Sequence, residues 1–301
     1  MGLRLVLETL TPVHIWSGTN YGPSDYYVDG EELIRVDFYE LVGDREFQRY
    51  KEKVIWALNR RASIHGAAPS LAERHVLYRL RNKGVLENKT VREFIKTSGS
   101  PYIPGSSLKG AILTALIWDH VKTRSGLATE RDFANERVME RKNREIIGSV
   151  LREVGKGDPA GRDKPQFNRW IGVTDSELAG MEDLMAVKVS VYPSGPTIFA
   201  EVLREGVSLR VELDSLSGVD LNKVLDKVDI FYREVLNKEN EWRRKNGLGE
   251  LKFSKEGRLV RIGSGSSQLA TSIRSLFRLR EPRTRKVVEP EKISMGWAVL
   301  R

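Results

Sequence analysis

Residues Pro101–Trp118 read PYIPGSSLKGAILTALIW, and two kinds of local chemistry meet in them. Pro101, Pro104 and Gly105 interrupt regular structure, because proline lacks a backbone donor and drives its predecessor towards extended geometry. Ser106 or Ser107 then offers a hydroxyl to cap a helix. Beyond them Leu108, Ala111, Ile112, Ala115 and Leu116 fall at helical spacing and define one apolar face. A glycine turn is thus expected to feed a buried helix whose opening turn carries Lys109 among small residues.

Such a turn can hold an anion. Unpaired amides at a helix start point outward, and the helix dipole is positive there. Gly105 and Gly110 would let a phosphate approach the backbone, with Lys109 adding a mobile charge. The stretch is not a phosphate-binding loop of the G-x-x-x-x-G-K-[ST] kind, since Lys109 precedes Gly110 and no hydroxyl follows the lysine. That weighs against a nucleotide-dependent enzyme. The plain alternative is an ordinary capped helix packed in a core.

A chain of 301 residues holds one large domain or two moderate ones. A formal net charge of +9 favours acidic partners such as nucleic acid. The charge is uneven. Arg258 to Arg301 holds ten Lys or Arg against three Asp or Glu, a net of +7. Cysteine is absent, which excludes disulfides and thiol chemistry and fits a reducing cytoplasm. The first residues lack the pattern of a signal peptide, and no run is long and apolar enough for a membrane span.

Near the start, Leu3, Leu5 and Leu7 alternate with Arg4, Val6 and Glu8 as a strand does. The loop from His14 to Asn20 follows. His14 and Trp16 could lie beside a nucleobase or phosphate; alternatively Trp16 fills the core and His14 pairs with a backbone carbonyl. Tyr26–Val28 and Leu33–Val36 flank Asp29-Gly30, a hairpin signal. Asp37 to Arg61 is helical in pattern, and Leu71 to Leu80 is expected to be a further short helix. Phe133, Val138, Met139, Ile146 and Ile147 suggest another helix. A glycine- and proline-rich loop runs from Gly155 to Pro165. Trp170 to Ser176 returns to strand chemistry, and three β-rich runs between Val187 and Leu213 read as an antiparallel meander. Leu221 to Leu236 then lies on the apolar face of one long helix starting at Asp220.

The C-terminal segment repeats the opening logic. A strand ending near Arg261 leads into Gly263, Ser264, Gly265 and Ser266. Leu269, Ile273, Leu276 and Phe277 then give a helical face. Arg278, Arg280, Arg283, Arg285 and Lys286 follow around Pro282, and an extended arm able to track a phosphate backbone is expected. A final strand is expected within Ile293 to Leu300.

Three motifs in order, LTPVHIWSG at 10–18, IPGSSLKG at 103–110, and PRTRK at 282–286 with MGWAVLR at 295–301, resemble the RAMP proteins, RNA-binding subunits of CRISPR effector complexes. Within them the likeness is to the subunit-five family of type III-A (Csm) complexes. The resemblance implies an α+β fold of two ferredoxin-like, RRM-like halves, with antiparallel sheets and helices on one face. It sets an N-terminal half at 1–180 with helical insertions and a C-terminal half at 181–301 with the glycine-rich loop and basic arm. It implies a non-catalytic cytoplasmic subunit that binds crRNA towards its 3′ end, aids assembly and crRNA maturation in antiviral defence, and needs no cofactor. Other Csm subunits and host nucleases are the expected protein partners. RNA contacts are assigned to His14 and Trp16, to Gly105, Ser106, Ser107, Lys109 and Gly110, to Arg261 and Gly263 to Ser266, and to Arg283, Arg285 and Lys286.

The competing reading is a metal-independent endoribonuclease acting on CRISPR repeat RNA, with His14 as acid or base. The four histidines, His14, His65, His75 and His120, form no metal motif in sequence. Asp25 sits in GPSDYY, a poor match to the catalytic loops of RNA-cutting RAMP subunits.

Overall fold

The computed structural model describes residues 2–124, 126–133, 141–142, 144–150, 170–216, 218–254, 256–267, 270, 276–277 and 283–301. The Gly155–Pro165 loop, the residues Val138, Met139, Leu269 and Ile273, and Arg278 and Arg280 lie outside them. The described strands are β1 (Gly2–Thr9), β2 (Trp16–Tyr21), β3 (Tyr26–Asp29), β4 (Glu32–Val36), β5 (Val76–Lys83), β6 (Val91–Phe94), β7 (Lys96–Thr97), β8 (Ser100–Pro101), β9 (Ile171–Val173), β10 (Leu184–Tyr192), β11 (Thr197–Leu203), β12 (Ser208–Ser215), β13 (Arg258–Arg261), β14 (Arg285–Val288), β15 (Ile293–Ser294) and β16 (Trp297–Leu300). The helices used below are α1 (Phe38–Gly43), α2 (Phe47–Asn59), α3 (Ile64–Ala67), α4 (Pro69–Arg74), α5 (Gly105–Thr123) and α6 (Leu221–Lys245).

Alternation along β1 buries Leu5 and Leu7 and turns Arg4 and Glu8 outward or towards the rim; β12 does the same with Leu209, Val211 and Leu213. The two strands pair antiparallel at the centre of a sheet ordered β13-β16-β1-β12-β9. In chain order β1, α5, β9, β12, α6 and β16 form a βαββαβ unit. Its sheet order, fourth-first-third-second, is the ferredoxin-like arrangement, with β13 added at the edge. The inner face is covered by α5 and α6, whose stripes behave as their spacing predicts. Leu108, Ala111, Ile112, Ala115 and Leu116 are buried on α5, and Val224, Leu225, Val228, Tyr232, Val235 and Leu236 on α6. The rings of Trp118 and Phe231 meet at 5.3 Å between centroids. The Asp220 side chain caps α6 by accepting from the Lys223 amide at 3.2 Å.

The second large sheet runs β2-β6-β11-β10-β5-β4-β3, with β14 also on β10 and β15 on β14. The β3–β4 hairpin forms as expected. Two neighbours, β5 with β10 and β6 with β11, are parallel. Helices α1 to α4 pack a small core of their own against β3 and β4, with Tyr27, Ile34, Leu41, Val54 and Leu71 buried in it. Each large sheet takes strands from either side of residue 180, so a division there would cut both.

Four expectations need correction. The His14–Asn20 loop contains most of a strand, β2. The helix expected over Leu71–Leu80 stops at Arg74, and Val76–Lys83 is β5, its alternation exposing Leu77 and Arg79 while burying Leu80. The meander is incomplete, since β10 and β11 pair but β12 crosses to the first sheet. Thr9 clamps that crossing, donating through Oγ1 to the Arg204 carbonyl at 2.7 Å and accepting from the Val207 amide at 2.9 Å. Finally, the basic arm ends in β14, an internal strand on β10, which makes Arg285 a core residue.

That burial is explained by a triad. Glu239 of α6, Arg261 of β13 and Arg285 of β14 are buried with their side chains sealed from solvent. Glu239 Oε2 accepts from Arg261 Nη1 at 3.2 Å and from Arg285 Nε at 2.9 Å. Trp297 lies under Arg261 at 4.8 Å and Trp242 under Arg285 at 5.1 Å. Burial alone would raise the Glu239 pKa; the two guanidiniums outweigh it and hold the carboxyl below its usual range. Its contribution to stability is therefore present at neutral pH and fades only as pH falls through that lowered value. Removing the carboxylate leaves two buried cations uncompensated. Glu239→Ala is expected to cost about 3–5 kcal/mol in urea unfolding. A loss under about 1 kcal/mol would show that the triad is not what joins the layers.

Candidate nucleic-acid interface

The two serine-bearing turns, far apart in sequence, meet in space. A cleft of about 300 Å³ is lined by Ser106, Ser107 and Gly110 of α5 and by Gly263 and Ser266 of the turn after β13, with Tyr232 and Ala270. Tyr232 joins the two sides, its hydroxyl lying 3.3 Å from the Ala111 carbonyl and 3.4 Å from that of Ala270. Ser106 and Gly110 are exposed, and Ser107 and Lys109 half-buried. Partial burial holds the Lys109 ammonium below the usual lysine pKa. A Cβ added at Gly110 would meet nothing within 4 Å.

Gly105 serves a different purpose from the one its position suggested. A Cβ there would lie 2.5 Å from the Val173 and Thr174 carbonyls, so glycine lets α5 start against the end of β9. Its amide donates to Asp175 Oδ1 at 2.7 Å. The helix start thus already has a carboxylate of this chain, which takes up the Gly105 amide. The next residue, Ser176, accepts from the Ile103 amide through Oγ at 2.9 Å.

The second turn is built on the His14 backbone. The Ser264 amide donates to the His14 carbonyl at 2.8 Å, and Gly263 has φ +75° with no room for a Cβ beside that carbonyl. Ser266 donates through Oγ to the Gly263 carbonyl, and Gly265 packs on Met295. Lys286 Nζ donates to Ser264 at 3.0 Å (carbonyl) and 2.8 Å (Oγ). Ser264 and Lys286 therefore act together at the edge of this turn.

His14 itself is 2% exposed. Its Nδ1–H donates to the Glu201 carbonyl at 2.6 Å, which makes its ring a structural partner of the backbone rather than a group that RNA can reach. Burial, with the nearby charges of Arg92 and Lys286, brings its pKa down to about 4 against the pull of that hydrogen bond. Below it, the Glu201 carboxylate is buried and accepts from the Tyr21 and Tyr78 hydroxyls, the Phe94 amide and Lys96. Arg261 and Arg285 are buried and ion-paired with Glu239, and Arg261 also lines the cleft. Trp16 is 49% exposed, its indole N–H donating to the Thr19 carbonyl at 2.8 Å. Arg283 is exposed, and its carbonyl accepts from the Trp242 indole at 2.9 Å. Asp25 accepts from the Gly22 amide at 2.7 Å and closes a local turn.

Three residues of this surface carried no sequence signal strong enough to single them out. Thr114 lies one helical turn beyond Gly110 and lines the cleft. Tyr232 looked like any apolar-stripe residue. Arg92, within VREF, places its guanidinium 5.9 Å from the Trp16 ring. The outer face of the first sheet is unlike an aromatic RNA-stacking platform. It is laced by Arg4–Glu212 at 3.0 Å, Arg210–Glu177 at 2.7 Å and Arg301–Glu8. Among the described residues no cluster could hold a metal ion, and no helix is long and apolar enough to cross a membrane.

The RAMP superfamily profile matches residues 6–267, and the chain belongs to that superfamily. Within it the likeness is to the fifth subunit of type III-A Csm complexes. The Csm5 protein of Mycobacterium tuberculosis (strain CDC 1551 / Oshkosh) is 25% identical over 251 residues, covering 70% of this chain. The match spans 66% of that relative's length and no more of the other curated Csm5 proteins. The crystal structure of T. onnurineus Csm5 superposes with a TM-score of 0.73 at 23% identity, covering 98% of this chain and 99% of that one. A chain of a cryo-EM Csm-crRNA-target RNA ternary complex from a type III-A CRISPR-Cas system gives 0.71 at 24%, covering all of both. At these identities the two structures speak for a shared fold.

The His14 environment makes a pH prediction. The ring takes up its proton at about 4 when folded, against an ordinary value of 6.5, so the unfolded chain binds more protons between those values. Stability is full above pH 6.5 and falls by about 3 kcal/mol on the way down to pH 4. In His14→Gln this share of the acid sensitivity disappears, and chemical unfolding from pH 7 to 4 reads it. Equal slopes in parent and variant would place the sensitivity elsewhere.

Proposed function

We propose that the chain is an RNA-holding, non-catalytic subunit of a type III-A Csm complex in the cytoplasm. It would bind crRNA towards its 3′ end, contact neighbouring Csm subunits, and support assembly and guide maturation with the help of host nucleases. The observation that carries the proposal is the meeting of Ser106, Ser107 and Gly110 with Gly263 and Ser266 around one cleft. Small residues and hydroxyls line it, so a sugar-phosphate strand can come close to the Ser106 and Ser107 side chains. Lys109, Lys286 and Arg283 supply positive charge along the same reading. The net charge of +9 supports association with a polyanion. The likeness to Csm5 proteins and to a chain of an RNA-bound Csm complex agrees with this assignment.

Among the described residues, the geometry of His14 argues against the ribonuclease alternative. A general acid or base must reach the proton it moves, and His14 is buried with its Nδ1 committed to a carbonyl. Cleavage of repeat RNA in EDTA that disappears in His14→Ala would overturn this.

Gly110→Glu tests the cleft without weakening the fold, because the position is open and glutamate is the better helix former. It is expected to weaken binding of single-stranded RNA by 10-fold or more, on the order of one lost charge-assisted contact. Lys109→Ala with Arg283→Ala is expected to lower the salt slope by about 0.7 for each phosphate released. Unchanged affinity and slope in both variants would contradict the proposal.

A further inference from the structure

Beside the cleft, past Ser264, lie three side chains that its lining does not include. Trp16 stands at the start of an edge strand. The register of β2 on β6 shifts between Trp16 and Asn20, so the intervening residues leave the ladder and the indole is turned to the surface. The ring is held in place, since its N–H is satisfied by the Thr19 carbonyl and Ser17 Oγ accepts from the Thr19 amide at 3.0 Å. An exposed aromatic whose polar atom is already bonded has only its faces left to offer, and with the Arg92 guanidinium over one of them at 5.9 Å the opposite face is left for a base.

Arg92 and Lys286 accompany it. Arg92 comes from β6, fixed between β2 and β11. Lys286 comes from β14, fixed by β10 and by both oxygens of Ser264. Among the described residues neither cation sits in an ion pair, whereas Lys96, Arg204, Arg210, Arg233 and Arg258 all do. The two cations also act on each other. Burial and then the Arg92 charge hold the Lys286 ammonium below the usual lysine pKa. Geometry brings both to the same loop: the Arg92 guanidinium lies 5.9 Å from the Trp16 ring centre, and Lys286 is bonded to Ser264, whose amide is bonded to the carbonyl of His14, two residues before Trp16. Two like charges at one loop repel, and an anion bound there relieves the cost.

We propose that Trp16, Arg92 and Lys286 form a seat for one nucleotide of single-stranded RNA. The base stacks on the Trp16 indole, and the adjoining phosphate lies between the Arg92 guanidinium and the Lys286 ammonium. This rests on the reading that the neighbouring cleft carries RNA, and it adds the chemistry of that contact. Recognition is of stacking and charge, so base identity is not read.

The test uses the full chain with labelled oligouridine and oligoadenosine. Trp16→Ala is expected to weaken both by about 5-fold or more, the lower end of base–aromatic stacking, while Trp16→Phe keeps most of the affinity. RNA quenches part of the parent's tryptophan emission, and that part is missing in Trp16→Phe although RNA still binds. Arg92→Gln with Lys286→Gln lowers the salt slope by about 0.7, the value for one shared phosphate. Arg92→Gln alone leaves Ser264 and its turn intact and still weakens binding, which separates the seat from any distortion at Lys286. If these variants bind as the parent does while Gly110→Glu fails, the seat is wrong and the cleft stands. If an RNA duplex competes as well as single strands, stacking is excluded and the seat is wrong. If the parent binds no RNA, both readings fall.

Discussion

One buried carboxylate, Glu239 of α6, holds two guanidiniums, one from β13 and one from β14, within a dry interior. Removing charges from water is costly, and the cost is offset only when every partner stays in place. The triad therefore does not tolerate small shifts. Arg261 fixes β13 of the first sheet to α6, and Arg285 fixes β14 of the second sheet to the same helix. Two sheets that share no strand are thereby referred to one helix face.

The consequences reach the surface within a few residues. The serine turn begins two positions after Arg261, and Lys286 directly follows Arg285. Burying the arginines brings Ser264 and Lys286 together at hydrogen-bond distance. Seven residues before Glu239, on the same face of α6, Tyr232 reaches the carbonyls of Ala111 and Ala270. The helix that carries Glu239 thus also sets α5 against the second turn. On this account the cleft is a by-product of core electrostatics. The charges that make the C-terminal segment look like an RNA-binding arm are partly consumed in building the surface that RNA would use.

Much of the fold was legible because local rules and tertiary structure agree. Leucine alternation marked β1, the Asp29-Gly30 signal marked the β3–β4 hairpin, and helical spacing marked α5 and α6. Where they disagree, the reading failed for identifiable reasons. Leu71 to Leu80 mixes two periods, and only the partners of Tyr78 and Leu80 show that a strand begins at Val76. The fate of β12 depends on Thr9, some two hundred residues earlier in the chain. The cleft was partly legible, since glycine and serine twice preceded a predicted helix. Which of its cations are buried was not. One signal was present, however. Glu239 continues the stripe of Tyr232, Val235 and Leu236, and a lone acid on an apolar face asks for a buried partner. Gly105 misled because a glycine that admits a phosphate and one that admits a neighbouring strand look alike in sequence.

The ferredoxin-like sheet offers two surfaces, and the chain treats them differently. Its outer face carries the ion pairs Arg4–Glu212, Arg210–Glu177 and Arg301–Glu8, while the helix side opens at the serine cleft. The most direct measurement is an ultraviolet cross-linking map of guide RNA on the assembled complex, read by mass spectrometry. The account predicts cross-linked peptides that contain Ser106 to Thr114 and Gly263 to Ser266. Cross-links confined to the outer sheet face, around Arg4 and Arg210, would contradict it.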